Sequence, residues 1–393
     1  MSSRRDVVVI GGGPGGLVVA SVASQLGLKV TLVEKSGRLG GDCLHSGCVP
    51  SKTLIRTARV AHLMRTASRY GLPECNPDVD MGAVIDRVND VIAEIQVHDD
   101  PERFRGYGCE VLFGAARFTG PKEIQVGDDL IQGRRFVIAT GSLPVIPPIP
   151  GLDEAGYETN ETVFSRRQLP QHLAVIGGGP IGLELAQAYA RLGSRISIVE
   201  QADQILPAAD ADVAGCLADV LAAEGLVLHT GRQVTGARRD GDSRQLQLDD
   251  GNTIECDRIL VATGRQPVLH DLGLDVAGVG FERGGITVDR RLRTTERHIF
   301  AIGDVCGPYP FTHMAEYQAG VVLANVLFRL PRKTDYRVVP VVTYTDPEVA
   351  QVGLTENTAR AQGIHCSVTT FPMADIDRAR TDAATPGFLK ILT

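Results

Sequence analysis

No run of basic residues stands out in this chain of 393 residues, and its formal net charge is −7. A nucleic-acid binder needs a concentrated basic surface, so no nucleic acid is expected as a partner. No apolar run approaches the roughly 20 residues that span a bilayer, so no membrane segment is expected either. The opening MSSRRDVVVIGGG starts like a signal peptide, but its apolar run is short and breaks into glycines. A disulfide framework is missing as well: the eight cysteines are scattered apart from Cys43 and Cys48. That usage suits a reducing, cytoplasmic setting with one working dithiol. No second Cys/His pair follows those two at a usable distance, which counts against zinc, and no metal site is expected. What the chain does have is a hydrophobic content of 43% and 44 glycines, enough for two or three α/β domains with ample core.

The stretch Gly41–Lys52, GDCLHSGCVPSK, organises the rest. Cys43 and Cys48 lie in a Gly-rich turn. Pro50 and a long apolar-periodic run follow, so Cys48 is expected at a helix start. The partial positive charge there favours a thiolate, and Lys52 adds a fixed charge one turn later. Such a pair switches between dithiol and disulfide. Taken alone, the two cysteines also fit half a zinc site or an inert buried pair.

Their surroundings argue for redox work. A buried strand over Asp6–Ile10 is expected to run into Gly11-Gly12-Gly13-Pro14-Gly15-Gly16, a helix to about Leu26, and a strand Val30–Val33 ending at Glu34. Gly11, Gly13 and Gly16 hold the GxGxxG positions, which let a pyrophosphate approach a helix N-terminus. Glu34 stands where an acid accepts ribose hydroxyls. Helical periodicity covers Ser51–Tyr70 and Gly82–Gln96, short strands fill Glu110–Gly133, and FVIATG over Phe136–Gly141 reads as a strand and turn. The Pro-rich Leu143–Gly151 reads as a linker. Then the pattern repeats: a strand Leu173–Ile176, a second fingerprint with Gly177, Gly179 and Gly182, and a strand Ile196–Val199 ending at Glu200. In both copies the acid follows the last glycine by 18 residues, and LVATG at Leu260–Gly264 echoes FVIATG. Two such units imply two dinucleotides. One is expected to be a flavin, because thiols exchange electrons with nicotinamide through flavin more readily than directly.

The chain resembles the class I pyridine nucleotide-disulfide oxidoreductases, the family of dihydrolipoamide dehydrogenase, glutathione reductase and mercuric reductase. GGGPGG, GGDCLHSGCVPSK, VIATGS, GGGPIGLE, LVATGR, IFAIGDV and VTYTDPEVAQVGLTE carry the likeness over nearly the whole length. The resemblance implies an α/β fold: two Rossmann-like FAD- and NAD(P)-binding domains plus an incomplete α+β dimerisation domain. The FAD-binding domain would cover 1–150 and 270–334, the NAD(P)-binding domain 151–269, and the interface domain 335–393. FAD would be held by Gly11, Gly13, Gly15, Gly16, Glu34, Lys35, Gly41, Asp42, Thr140, Gly141, Gly303, Asp304, Met314 and Ala315. NAD would be held by Gly177, Gly179, Gly182, Glu200 and Gly264. Cys48 would be the thiol beside the flavin and Cys43 the interchange thiol facing substrate. Lys52 would sit near flavin N5, paired with Glu184. Asp304 would bind the ribityl chain, and a helix beginning near His313–Glu316 would point its N-terminus at the pyrimidine edge. His313 and Cys306 read as structural.

By the same resemblance, electrons pass between NAD(H), FAD and the Cys43–Cys48 pair to a small disulfide or dithiol substrate, as in dihydrolipoamide dehydrogenase. A mercuric-reductase-like reduction of Hg(II) is the alternative within the class. A redox-responsive FAD-binding protein without turnover is the alternative outside it; rapid NADH consumption with an acceptor separates the two. NADH is expected over NADPH, because Glu200 repels a 2′-phosphate and Gln201 and Ala202 offer no offsetting charge. A basic side chain folded in from Arg265 or Arg283 would override that. Pro180 stands where some relatives carry an aromatic gate. Strands are expected at Val338–Tyr344, Gln351–Gly353, Cys366–Phe371 and Phe388–Leu392, with one helix around Thr355–Gln362. Such a sheet leaves an apolar face and an unpaired edge, to be covered by a partner subunit and by residues beyond Thr393. The complete protein is therefore expected to be a homodimer. The late His-Glu pair and terminal Cys-Cys of relatives lie beyond this sequence, so the chain as written is expected to be impaired on disulfides.

Overall fold

A computed structural model describes residues 4–393. They fall into two compact units: Met1–Val49 with Asp90–Pro144 and Arg265–Asp335, and Pro50–Asn89 with Val145–Gly264 and Tyr336–Thr393. Each holds one Rossmann-like α/β core.

In the first unit, five parallel strands lie in the order Ile299–Ala301, Phe136–Ile138, Val7–Ile10, Val30–Glu34, Cys109–Phe113. The central VVVI is buried on both faces, as expected of a parallel strand that reads as an unbroken β-branched run. On one face the helix Pro14–Gln25 packs against the helix Thr312–Leu327, and Leu17, Ala20, Ala319 and Val322 share one core with Val9 and Leu32. On the other, an antiparallel sheet of Ala116–Gly120, Glu123–Val126 and Asp129–Gln132 brings Phe118 to 5.2 Å from Phe136 between ring centroids.

The second unit repeats the plan. Its parallel strands run Val227–Thr230, Arg195–Glu200, His172–Ile176, Arg258–Val261, beside an antiparallel sheet of Val234–Asp240, Ser243–Leu248 and Thr253–Cys256. The helix Pro180–Leu192 is buried along most of its length. The two glycine turns match closely. Gly11 and Gly177 both have φ of 112°, a conformation that a side chain strains. A methyl on Gly16 would lie 1.9 Å from the Gly11 carbonyl oxygen, and one on Gly182 2.1 Å from that of Gly177.

Several details differ from the sequence reading. Cys43 lies in a short helix, Gly41–His45, and not in an open turn. The helix that follows starts at Cys48 and stops at Arg65, before a 3-10 turn at Ala67–Tyr70. The C-terminal strands form two separate antiparallel pairs, Pro340–Thr343 with Val349–Val352 and Val368–Pro372 with Phe388–Leu392. Besides Glu356–Ala361, capped by Thr355, there is a second helix, Asp377–Thr381. Its five residues are too few for periodicity to reveal. Lys390 pins the last strand through Asp212 at 2.9 Å, Asp210 at 3.2 Å and Glu356. Burial pulls its ammonium down, but the carboxylates outweigh that and hold it above the ordinary lysine range. Among the described residues, no helix is long and apolar enough to cross a membrane.

The glycines of the second turn give a direct test. Gly182→Ala drives a methyl into backbone and should cost about 1–3 kcal/mol in thermal unfolding. Gly179→Ala meets nothing within 4 Å, so its stability should stay within about 0.5 kcal/mol of the parent.

Candidate functional site

Each glycine turn opens a helix whose first N–H groups have no side-chain cap: Gly13 precedes one helix and Gly179 the other. Such an end attracts an anion. Beside each lies a buried carboxylate. Glu34 accepts from the Gly12 N–H at 2.6 Å and the Ser36 N–H at 2.8 Å. Glu200 accepts from Gly178 at 2.7 Å and Ala202 at 2.8 Å. Every oxygen keeps a lone pair for a ribose hydroxyl. Uncapped N–H groups, turns with no room for a Cβ, and a fixed acid fit a dinucleotide in both units. Lys35, by contrast, is exposed beyond Glu34.

In the first unit the Cys43 thiol hydrogen-bonds Cys48. That bond, then burial, pushes its pKa far above the ordinary range, so Cys43 keeps the proton. Cys48 is exposed, and its sulfur lies 3.2 Å from the hydroxyl of Thr312. Thr312 opens the helix Thr312–Leu327, in whose first turn Met314 and Ala315 are buried. A second cluster gathers around Asp304. Ser142 Oγ donates to it at 2.5 Å, while Arg265 donates to Ser142 Oγ at 2.7 Å and to the Ser142 carbonyl at 2.8 Å, and pairs with Asp42 at 3.2 Å. Arg265 is thus engaged in the first unit, whereas the sequence left it as a rival to Glu200. Gly303 donates to Gln318 at 2.6 Å. Thr140 donates to the Val268 carbonyl at 3.2 Å, Gly141 has φ of 70° and Gly264 φ of 128°. Burial, with Asp304 nearby, pushes the Cys306 thiol up to about 12, which suits an inert side chain.

In the second unit Lys52 Nζ meets Glu184 Oε2 at 2.7 Å, and the Tyr344 N–H donates to Glu184 Oε1 at 2.9 Å. The ammonium also sits 4.4 Å from the centroid of the Tyr344 ring. Glu184 is 5% exposed, so the pair is fixed from below. The helix bearing Lys52 is the one that Cys48 begins.

Sequence reasoning missed Thr312, Ser142 and Tyr344, and gave Arg265 the wrong task. Ser142 was within reach as the last letter of VIATGS and Tyr344 as part of VTYTDPEV; a threonine before His313 carries no signal. Reduced, flavin-free protein given limiting iodoacetamide at about pH 8 should be alkylated first at Cys48, because Cys43 is half-buried and holds its proton. Peptide mass spectrometry reads the order; first labelling at Cys43 would contradict this geometry.

Residues 5–319 match the family model described as pyridine nucleotide-disulphide oxidoreductase, and 339–393 match its dimerisation domain. A mercuric reductase of Bacillus cereus is 33% identical over 98% of this chain, which spans 62% of that protein's length. A dihydrolipoyl dehydrogenase of Thermus scotoductus is 38% identical over 98% of the chain and 84% of its own. Among solved structures, the Cu(II) complex of the HOCl-induced flavoprotein disulfide reductase RclA from Escherichia coli has a TM-score of 0.89 at 32% identity, covering 99% of this chain and 86% of that one.

Proposed function

Because the chain belongs to the pyridine nucleotide-disulphide oxidoreductase family, we propose that it moves electron pairs between NADH and a small disulfide or dithiol through FAD and the Cys43–Cys48 pair. The observation that carries this is the proton arrangement of the two thiols. Cys43 holds its proton toward Cys48, and Thr312 reaches Cys48 from another element. When bound, FAD supplies the two-electron relay between hydride donor and dithiol.

The chain's own residues do the rest. The turn at Gly11, Gly13, Gly15 and Gly16 with Glu34 holds the flavin nucleotide, and Asp304 with Ser142 orients its polyol. The turn at Gly177, Gly179 and Gly182 with Glu200 holds the nicotinamide nucleotide. Lys52, fixed by Glu184, sets a positive charge one turn beyond Cys48. Once Cys43 has lost its proton, its thiolate attacks one sulfur of a substrate disulfide and expels the other as a thiolate. Cys48 then attacks the Cys43 sulfur and frees the second substrate thiolate. The enzyme ends as the disulfide and the substrate as the dithiol, so the electrons balance. A dithiol substrate runs the sequence backwards. The bounds 1–150 with 270–334, 151–269 and 335–393 remain our assignment of the FAD, NAD(P) and interface domains. The matched dimerisation domain and the exposed Phe371, Leu389 and Ile391 support a homodimer, and the cysteine usage supports a cytoplasmic location. Hg(II) reduction is the second reading, favoured by the mercuric reductases among the relatives.

Steady-state NADH oxidation against lipoamide, glutathione disulfide, Hg(II) and quinones tests both. A disulfide should be turned over and Cys43→Ser should abolish this, while the long-wavelength absorbance on two-electron reduction survives in Cys43→Ser and is lost in Cys48→Ser. Turnover by Cys43→Ser at the parent rate would sink the role of the pair. For the nicotinamide, kcat/KM should favour NADH over NADPH by about tenfold or more, and Glu200→Ala should narrow the gap. A clear NADPH advantage would refute the part given to Glu200.

A further inference from the structure

The second unit carries a cleft that the reading above does not use. Its volume is ≈ 580 Å³, and Arg166, Arg167, Arg244, Arg258 and Glu158 line it. It lies at the end of the parallel sheet away from the glycine turn. Arg258 begins its strand opposite Leu173, whereas Val261 pairs with Ile176, which leads into Gly177. Three strand residues separate these ends, about 10 Å. Glu158 is tied into the same edge: its N–H donates to the Ile259 carbonyl at 2.8 Å and its carbonyl accepts from Val261 at 2.8 Å.

Charge is poorly balanced there. Arg244 and Glu158 are 8% and 9% exposed. Arg166 pairs with Glu158 Oε1. Arg244 Nη1 donates to the carbonyls of Asp242 at 3.0 Å and Asp257 at 2.6 Å, and Arg258 Nη1 also donates to the Asp257 carbonyl. The Asp257 carboxylate is taken by the N–H groups of Gln171 at 3.1 Å and His172 at 2.7 Å, and Arg167 by Asp86 at 2.8 Å. Three buried polar atoms are left without partners: Arg244 Nε, Arg258 Nε and Glu158 Oε2. Native proteins rarely leave such atoms unpaired, and each costs about 1–3 kcal/mol. Burial first, then Arg258, depresses the pKa of both Arg166 and Arg244, so the guanidiniums repel one another. Tyr157, whose phenol burial holds above its usual range, completes the ionisable groups that face Glu158.

The three orphans name the missing group. Two are donors on cations and call for anionic oxygens. The third is a carboxylate oxygen and calls for a donor. We propose that this cleft binds a phosphate group that still carries a proton, either free hydrogen phosphate or the monoprotonated phosphate of a small monoester. Two of its oxygens accept from Arg244 and Arg258, and its P–OH donates to Glu158. Arginine pairs suit a tetrahedral oxyanion, and the acid filters it: sulfate has no proton to give and meets Glu158 with like charge.

Isothermal titration of the FAD-loaded full chain, with saturating NAD⁺ to fill the dinucleotide cradle, tests this. Inorganic phosphate, glucose 6-phosphate and sulfate serve as probes at about pH 6 and about pH 8. Saturable phosphate binding should exceed sulfate binding by about tenfold or more, the worth of one charge-assisted hydrogen bond. Glucose 6-phosphate should weaken from the lower to the higher pH as its second proton leaves near pH 6, whereas inorganic phosphate keeps a P–OH throughout. Binding of either supports the site, and the tighter one at the higher pH names its source. Arg244→Gln and Arg258→Gln should each weaken phosphate about tenfold, and Glu158→Gln, which can donate, should erase the preference over sulfate. The native protein alone can overturn the proposal, by binding sulfate as well as phosphate or by showing no saturable phosphate binding; unchanged affinity in both arginine variants would overturn it too.

Discussion

In each unit the first helix glycine able to touch the turn lies against the carbonyl of the turn's first residue. The missing Cβ at Gly16 and Gly182 is what lets strand, turn and helix close so tightly. With that approach the helix N-terminus faces outward beside the strand ends, and the acid of the next strand reaches back to a backbone N–H. Without it, the helix would be pushed off the sheet and would take with it the apolar faces that make the core. Packing and ligand geometry are therefore one constraint here.

The thiol pair depends on a different kind of placement. Cys43 is held in a short helix of its own, and its proton is directed toward Cys48. The hydroxyl of Thr312 approaches Cys48 from a helix 264 residues further along the chain. Hydrogen bonds from two elements converge on one sulfur, which is how a thiolate is stabilised without a neighbouring metal. Lys52 contributes from the same helix as Cys48, and its own direction is set by buried Glu184 and by Tyr344.

Much of this was legible in the sequence because glycine and β-branched runs speak locally. The strands Val7–Ile10 and His172–Ile176, both turns, and Glu34 and Glu200 follow from spacing alone. The dithiol and the Lys52–Glu184 pairing came through family resemblance. Thr312 did not emerge, since a hydroxyl near a sulfur distant in sequence leaves no local pattern. Arg265 was misread because charge near LVATG says nothing about which carboxylate it faces; Asp42 and Ser142 decide that. The helix Asp377–Thr381 and the split of the C-terminal strands into two pairs escaped for want of length. Arg244, Arg258 and Glu158 looked like ordinary surface charges until burial was known.

The two nucleotide turns agree to within 0.1 Å in the hydrogen bonds that their acids accept from Gly12 and Gly178. Neither turn, then, holds any information about which coenzyme it is to receive. A newly made chain presents two look-alike berths to a cell in which nicotinamide coenzymes far outnumber flavin. Correct loading has to be decided by what surrounds each berth and by the order of arrival, so the maturation of this protein is a sorting problem as much as a folding one.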